Sequence, residues 1–89
     1  MSDIVSELRM KAKNGESVSD IVRWIINTTT PRSRLEVVTA LKQAFCISLT
    51  DASPIMGWEP DGTGELSDER IQVLIHPKII EKRSSWDAI

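Results

Sequence analysis

The chain has 89 residues, of which 40% are hydrophobic and 27% are charged, and its formal net charge is −2. This length and composition indicate a single globular domain, residues 1–89, and exclude a disordered or low-complexity chain. The slightly acidic balance argues against nucleic acid as a partner, because neutralising phosphates requires a basic face. One cysteine cannot form an internal disulfide.

Charged side chains interrupt the apolar residues near the N-terminus, so a signal peptide is not predicted. Further along, no uncharged apolar run approaches the roughly 20 residues of a membrane span. We therefore expect no membrane association and a cytoplasmic location.

The first helix is predicted over residues 2–13, with Ser2 or Asp3 as its N-cap. Its apolar side chains recur at helical spacing: Ile4, Val5, Leu8 and Ala12. Asn14-Gly15 ends this helix, because both residues tolerate the left-handed conformation.

The second helix opens at Ser17, with Asp20 as its capping-box partner. It carries the clearest apolar stripe in the chain: Val18, Ile21, Val22, Ile25 and Ile26. Trp24 here and Met10 in the first helix lie off these stripes. They are candidates for a partner-facing or homodimer patch.

The third helix is predicted to start at Thr30 as N-cap, with Pro31 at the first helical position, and to run to about Phe45. Its inner face consists of apolar residues: Val37, Val38, Leu41, Ala44 and Phe45. Cys46 follows in an apolar run and is expected to be a small buried hydrophobic residue.

A short fourth helix is predicted over residues 49–53, because Ser48 and Asp51 form an N-cap pair. After it, three large side chains can pack back on the core: Ile55, Met56 and Trp58. Glycines and a proline exclude regular structure in residues 59–66.

The last long helix is predicted to begin after Ser67, with Ile71, Leu74 and Ile75 on its inner face. His76-Pro77 is expected to break or kink it, and a short helix resumes over residues 78–83. Trp86 can pin the tail. The predicted fold is an all-α, compact bundle of about five helices with one Gly/Pro-containing acidic loop.

The acidic cluster next to Trp58 is the feature best suited to function. Its members are Glu59, Asp61, Glu65, Asp68 and Glu69, with no basic residue among them. Carboxylates around an aromatic anchor suit docking onto a basic protein surface. We predict these six residues as the partner-binding set, although Trp58 considered alone is better interpreted as a core residue.

The same segment partly resembles the calcium-binding loop of an EF-hand. Glu59, Asp61 and Thr63 occupy the first ligand positions, but the twelfth position, which needs a bidentate glutamate, holds Arg70. A cation there removes two ligand oxygens and repels calcium. No metal or cofactor is therefore predicted, and a calcium-responsive module stays an alternative.

Catalysis is not predicted. The sole histidine, His76, is interpreted as a helix-end residue before a proline, and no serine or cysteine lies in a nucleophile motif. A small DNA-binding or regulatory domain is the alternative function, with Arg32, Arg34 and Lys42 of the third helix contacting phosphates.

The segments FCISLTDASPIMGW and DGTGELSD resemble small bacterial toxin-immunity proteins, including those of contact-dependent growth inhibition systems. The resemblance implies a cytoplasmic, non-enzymatic protein that binds and neutralises a cognate toxin, often a nuclease. It assigns no individual binding residues. The acidic segment would then cover a basic cleft, with carboxylates in place of nucleic-acid phosphates.

Overall fold

The computed structural model describes residues 4–30 and 32–87 and is all-α, as predicted. Its helices are α1 (Ile4–Lys13), α2 (Val18–Thr29), α3 (Arg34–Phe45), α4 (Leu49–Ala52), α5 (Asp68–Glu81) and α6 (Arg83–Trp86), with a 3₁₀ segment (Ser53–Gly57) directly after α4. The predicted caps of α1, Ser2 and Asp3, lie outside the described residues. In the described part of the chain, no helix has both the length and the apolar character needed to cross a membrane.

α3 lies at the centre of the bundle and packs against α1, α2, α4, the 3₁₀ segment and α6. α5 packs against α2, α4 and the same 3₁₀ segment. Every helix contributes to one hydrophobic core, whose largest members are Trp58, Trp86 and Phe45. The core thus places residues 58–67, between the 3₁₀ segment and α5, where α2 and α3 can also reach them.

Serine caps set the start of three helices, as predicted. Their hydroxyl oxygens accept from the backbone N–H three residues on, at 3.2 Å for Ser17, 3.0 Å for Ser48 and 3.1 Å for Ser67. At α4 the capping box is complete, because the Asp51 carboxylate also accepts from the Ser48 N–H. Each bond satisfies a donor that the first helical turn leaves unpaired.

The predicted start of α3 is wrong. Thr30 is the C-cap of α2, in the left-handed conformation (φ 48°), and its N–H donates to the Ile26 carbonyl at 3.2 Å. Ser33 is the N-cap of α3. Pro31 lies outside the described residues. Thr30 was misassigned because a threonine before a proline is a typical helix start, whereas here it closes the preceding helix.

Of the two outcomes predicted at Pro77, the break is wrong, because α5 continues through it to Glu81, while the kink stays a prediction. An interior proline costs about 3 kcal/mol. Against this, α5 buries Ile71, Ile75 and Ile79 on the core side, and each buried isoleucine stabilises by about 1.5–3 kcal/mol. Pro77 itself is exposed. The burial gained along the whole helix therefore outweighs the local penalty.

Three predicted core residues are exposed. Leu74 lies on the flank of α5, outside the row of buried isoleucines that recurs at every fourth position of the helix. Met56 is exposed because three residues per turn in a 3₁₀ helix put Ile55 and Trp58 on the inner side instead. Cys46 is exposed at the left-handed C-cap of α3 (φ 56°), and Ile47 takes the buried position after it.

Off-stripe residues in α1 and α2 differ in exposure. Met10 is exposed, whereas Trp24 is half-buried and packs against the core. The Lys11 ammonium lies 5.0 Å from the centroid of the Trp24 ring. Trp24 is therefore a covered core-edge residue in this fold. Trp86 is buried and pins the tail, as predicted.

Candidate functional site in the acidic loop

The acidic loop, residues 59–69, is closed at its base by backbone hydrogen bonding. The Leu66 N–H donates to the Gly57 carbonyl at 2.9 Å, and Trp58 and Leu66 form an isolated parallel bridge. At the tip, the Gly62 N–H donates to the Glu59 carbonyl at 3.1 Å, and Gly62 has a φ of 84°. The segment is therefore a closed turn with defined hydrogen bonds.

Gly64 is the point at which the two sides of the loop come closest. A Cβ atom there would lie 2.7 Å from both the Glu59 nitrogen and the Gly57 oxygen. Both are backbone atoms, so they cannot move aside as a flexible side chain would. Only glycine fits between the two sides of this loop.

Trp58 anchors the loop to the helical body. Its ring is completely buried, and the guanidinium carbons of Arg23 and Arg34 lie 5.2 Å and 5.8 Å from the ring centroid. The indole N–H donates to the Asp68 carboxylate at 2.7 Å. These positions allow cation–π attraction in addition to the hydrogen bond.

Two arginines tie neighbouring helices to the loop. Arg23 of α2 donates to both Asp68 oxygens, at 3.0 Å and 3.2 Å, and to the Pro60 carbonyl at 3.1 Å. Arg34 of α3 forms an ion pair with Glu59 at 2.9 Å. The loop is thus attached to α2, to α3 and to the start of α5.

Hydrogen bonding lowers the pKa of two carboxyl groups in the loop. For Asp68 the main cause of the lowered pKa is the Trp58 N–H, opposed by partial desolvation and reinforced by Arg23. For Asp61 the pKa is lowered by the Thr63 hydroxyl and the Thr63 N–H, which donate to one carboxylate oxygen at 2.7 Å and 3.0 Å. Both groups are ionised at neutral pH.

No protein-family model, curated protein or solved structure matches the chain.

The six residues predicted as partner-binding fall into two groups. Trp58 is in the core, so its ring is not a surface anchor. Glu59 and Asp68 are bound to arginines. Asp61, Glu65 and Glu69 are exposed. For the last two, no ion pair or side-chain hydrogen bond with another described residue is present. Asp61, Glu65 and Glu69 are the exposed carboxylates of the set that no arginine pairs among the described residues, whereas Glu59 and Asp68 are about half-exposed and paired.

Arg23 is the residue of the site that the sequence did not reveal. It lies next to Trp24 on α2, and its nearest hydrogen-bond partner in the site, the Pro60 carbonyl, is 37 positions along the chain. Local patterns carry no signal for such a contact. The only hint is compositional, since five carboxylates without a base among them need cations from elsewhere.

The carboxylates of the loop do not converge on a metal position. Among the described residues, no group of three or more His, Cys, Asp or Glu is arranged to hold an ion. Glu59 turns to Arg34, and the Thr63 hydroxyl donates to Asp61. All three of the predicted calcium ligands are therefore engaged in the protein's own contacts.

The basic residues proposed for DNA contact do not form one surface group. Arg34 is engaged with Glu59 and with the Trp58 ring, and its side chain is largely covered. Arg32 and Lys42 are exposed. The DNA-binding alternative stays a prediction, with Arg32, just before α3, and Lys42, on α3, as the exposed cations of the proposed set.

Proposed function

We propose that this chain is a non-catalytic inhibitor of the immunity type, which binds a toxin protein through the exposed carboxylates of the acidic loop. Asp61, Glu65 and Glu69 make the contacts. Trp58, Glu59 and Asp68 hold the loop in its binding conformation. The action takes place in the cytoplasm, where an intracellular toxin would reach its target.

The supporting observation is that the negatively charged loop is held in place by contacts that do not use the carboxylates of Glu65 and Glu69. Gly64 packs against backbone, and the Arg23–Asp68–Trp58 contacts fix the base of the loop. A preorganised loop loses little conformational entropy on binding, so more of its interaction energy contributes to affinity.

The partner surface that fits this loop is basic. A nuclease cleft is basic because it binds phosphates, and the carboxylates would occupy positions that phosphates otherwise take. Opposite charge would steer the two proteins together and make association depend on salt. This chemistry agrees with the class of protein that the sequence resembles.

The experiment co-expresses the chain with the product of the gene immediately upstream, since immunity genes of this type follow their toxin genes. The wild-type chain should relieve growth inhibition and bind the purified toxin. Glu65→Lys should slow association by roughly three- to tenfold at low salt, because it reverses a steering charge. Stopped-flow association rates provide the measurement.

Glu7→Lys on α1 is the matched control, because it makes the same charge change at another exposed glutamate. It should leave the association rate within about twofold of wild type. An upstream product that is not toxic, or toxicity that the wild-type chain does not relieve, contradicts the proposal. Equal slowing by both variants would show that net charge, and not the loop, determines association.

A further inference from the structure

The outer face of α5 is apolar although it does not face the core. Val73, Leu74 and Ile80 are 64%, 37% and 47% exposed, and Pro77 between them is exposed as well. At about 100° per residue, Val73, Pro77 and Ile80 lie opposite the buried row of Ile71, Ile75 and Ile79. α5 is therefore apolar on two opposite faces.

A helix that is apolar on both sides is typical of one that is covered on both sides. Isolated exposed apolar side chains are normal on protein surfaces. Here, however, they follow one another along a helix, which is characteristic of a contact surface.

The charges along one edge of this face, on the side of Leu74, indicate what covers it. Arg70, Leu74, Pro77 and Glu81 follow one another at spacings of four, three and four, the repeat of helices that pack side by side. A cation thus lies at the N-terminal end of the stripe and an anion at its C-terminal end. Two copies in antiparallel orientation would bring each Arg70 to the other copy's Glu81, with Leu74 near Pro77.

We propose that the outer face of α5 is a two-fold interface with a second copy of this chain. A two-fold interface requires a self-complementary surface, in which each residue meets the partner that its own counterpart needs. The antiparallel arrangement meets this requirement, while a parallel one places arginine against arginine. Glu81 also lies 4.0 Å from Lys78, and both side chains stay exposed enough for a second cation to approach.

The dimer is in equilibrium with its monomer at accessible concentrations. α5 has 14 residues and is about 21 Å long, so its face covers less than the roughly 800 Å² per partner of a standard interface. This interface begins at Arg70, next to Glu69 of the acidic loop, and it requires no toxin partner.

Sedimentation equilibrium of the full chain tests the proposal, with protein at concentrations up to about 500 μM. The wild-type chain should show a monomer–dimer equilibrium. Arg70→Glu and Glu81→Arg should each weaken dimerisation about tenfold or more, because each places like charges together twice across the two-fold axis. The double variant should restore wild-type association, because both pairs return with their signs exchanged.

Both single variants should fold normally, because glutamate suits the first turn of a helix and arginine the last. Circular dichroism checks this. Val73→Asp should abolish the dimer, whereas Leu35→Asp, at a similarly exposed apolar residue of α3, should not change it. A wild-type chain that stays monomeric overturns the proposal. So does a dimer that the single charge reversals do not weaken or that the double variant does not restore.

Discussion

The two fully buried tryptophans of this small protein, Trp58 and Trp86, are held in different ways. Trp58 lies beneath two guanidinium groups and donates its indole N–H to the carboxylate of Asp68. Trp86 stacks edge-on against Phe45, with ring centroids 5.1 Å apart, and donates to the backbone carbonyl of Ile79 at 2.9 Å. The Arg83 guanidinium also lies 5.9 Å from the centroid of the Trp86 ring, and both rings belong to the core, so the two tryptophans differ chiefly in the hydrogen-bond acceptor: a side-chain carboxylate for Trp58 and a main-chain carbonyl for Trp86.

The acceptors explain what this difference means for stability. The Ile79 carbonyl belongs to the last turn of α5, where carbonyls have no partner within the helix, and its bond with Trp86 is buried. The Asp68 carboxylate is half-exposed and also bound to Arg23. Removing the indole N–H would therefore leave a buried acceptor unpaired at Trp86 but not at Trp58.

Phenylalanine substitutions test this contrast, with the largest expected effect at Trp86. Trp86→Phe should lower the free energy of unfolding by about 2–4 kcal/mol, from an unpaired buried carbonyl and lost ring volume. Trp58→Phe should cost only about 1–2 kcal/mol, because water and Arg23 continue to satisfy Asp68. Urea denaturation provides both values. Equal losses, or a larger one at Trp58, would show that the bond from Trp86 to the Ile79 carbonyl adds no more stability than the bond from Trp58 to Asp68.

Gly64→Ala tests whether close backbone packing fixes the acidic loop next to Trp58. The added methyl group would meet two backbone atoms at 2.7 Å, so the loop must shift, at a cost of about 1–3 kcal/mol. Gly57→Ala is the control within the same turn, because its methyl would meet only side-chain atoms at ordinary contact distances, of Leu66 at 3.6 Å and of Glu65 at 4.0 Å. Urea midpoints should separate the two variants. A Gly64→Ala protein as stable as Gly57→Ala would show that the loop is loosely packed.

How much of the structure the sequence could reveal depends on whether the residues in contact are close together or far apart along the chain. Ser17, Ser48 and Ser67 were predicted as caps because a cap and its partner lie within one turn. Apolar periodicity likewise identified the inner faces of α2 and α3. The ion pair of Arg23 with Asp68 joins residues 45 positions apart, and no local rule predicts it.

The errors at helix ends have a related cause. Thr30 and Cys46 both adopt the left-handed conformation, which side chains other than glycine or asparagine seldom do. Pro77 was predicted to end a helix that tertiary packing instead continues. For the candidate site, the acidic residues were visible in the sequence. Their separation into anchoring and exposed groups depends on where Arg23 and Arg34 lie in the fold.

The smallest expected effect is on the pH dependence of stability, and it tests the Asp68 carboxylate that accepts from the Trp58 indole. Because the Asp68 pKa is lowered in the folded protein, its contribution to stability is complete above the unfolded-state value of 3.8 and is lost as the pH falls through the folded value. Asp68→Asn should reduce stability at pH 7 by about 1 kcal/mol, at the low end for a charged hydrogen bond because the carboxylate is half-exposed.

Urea unfolding between about pH 7 and pH 2.5 measures the difference in stability between the wild-type chain and Asp68→Asn. This difference should narrow once the pH falls below the pKa that Asp68 has in the unfolded state. Asp61 and Asp87 also have lowered pKa values, so the variant should retain part of the acid sensitivity. Glu69→Gln, at the neighbouring exposed carboxylate, is the control and should follow the wild-type profile. If Asp68→Asn instead runs parallel to wild type down to the lowest pH, ionisation of Asp68 does not stabilise the Trp58 anchor, and the ring is held by its burial and the arginines alone.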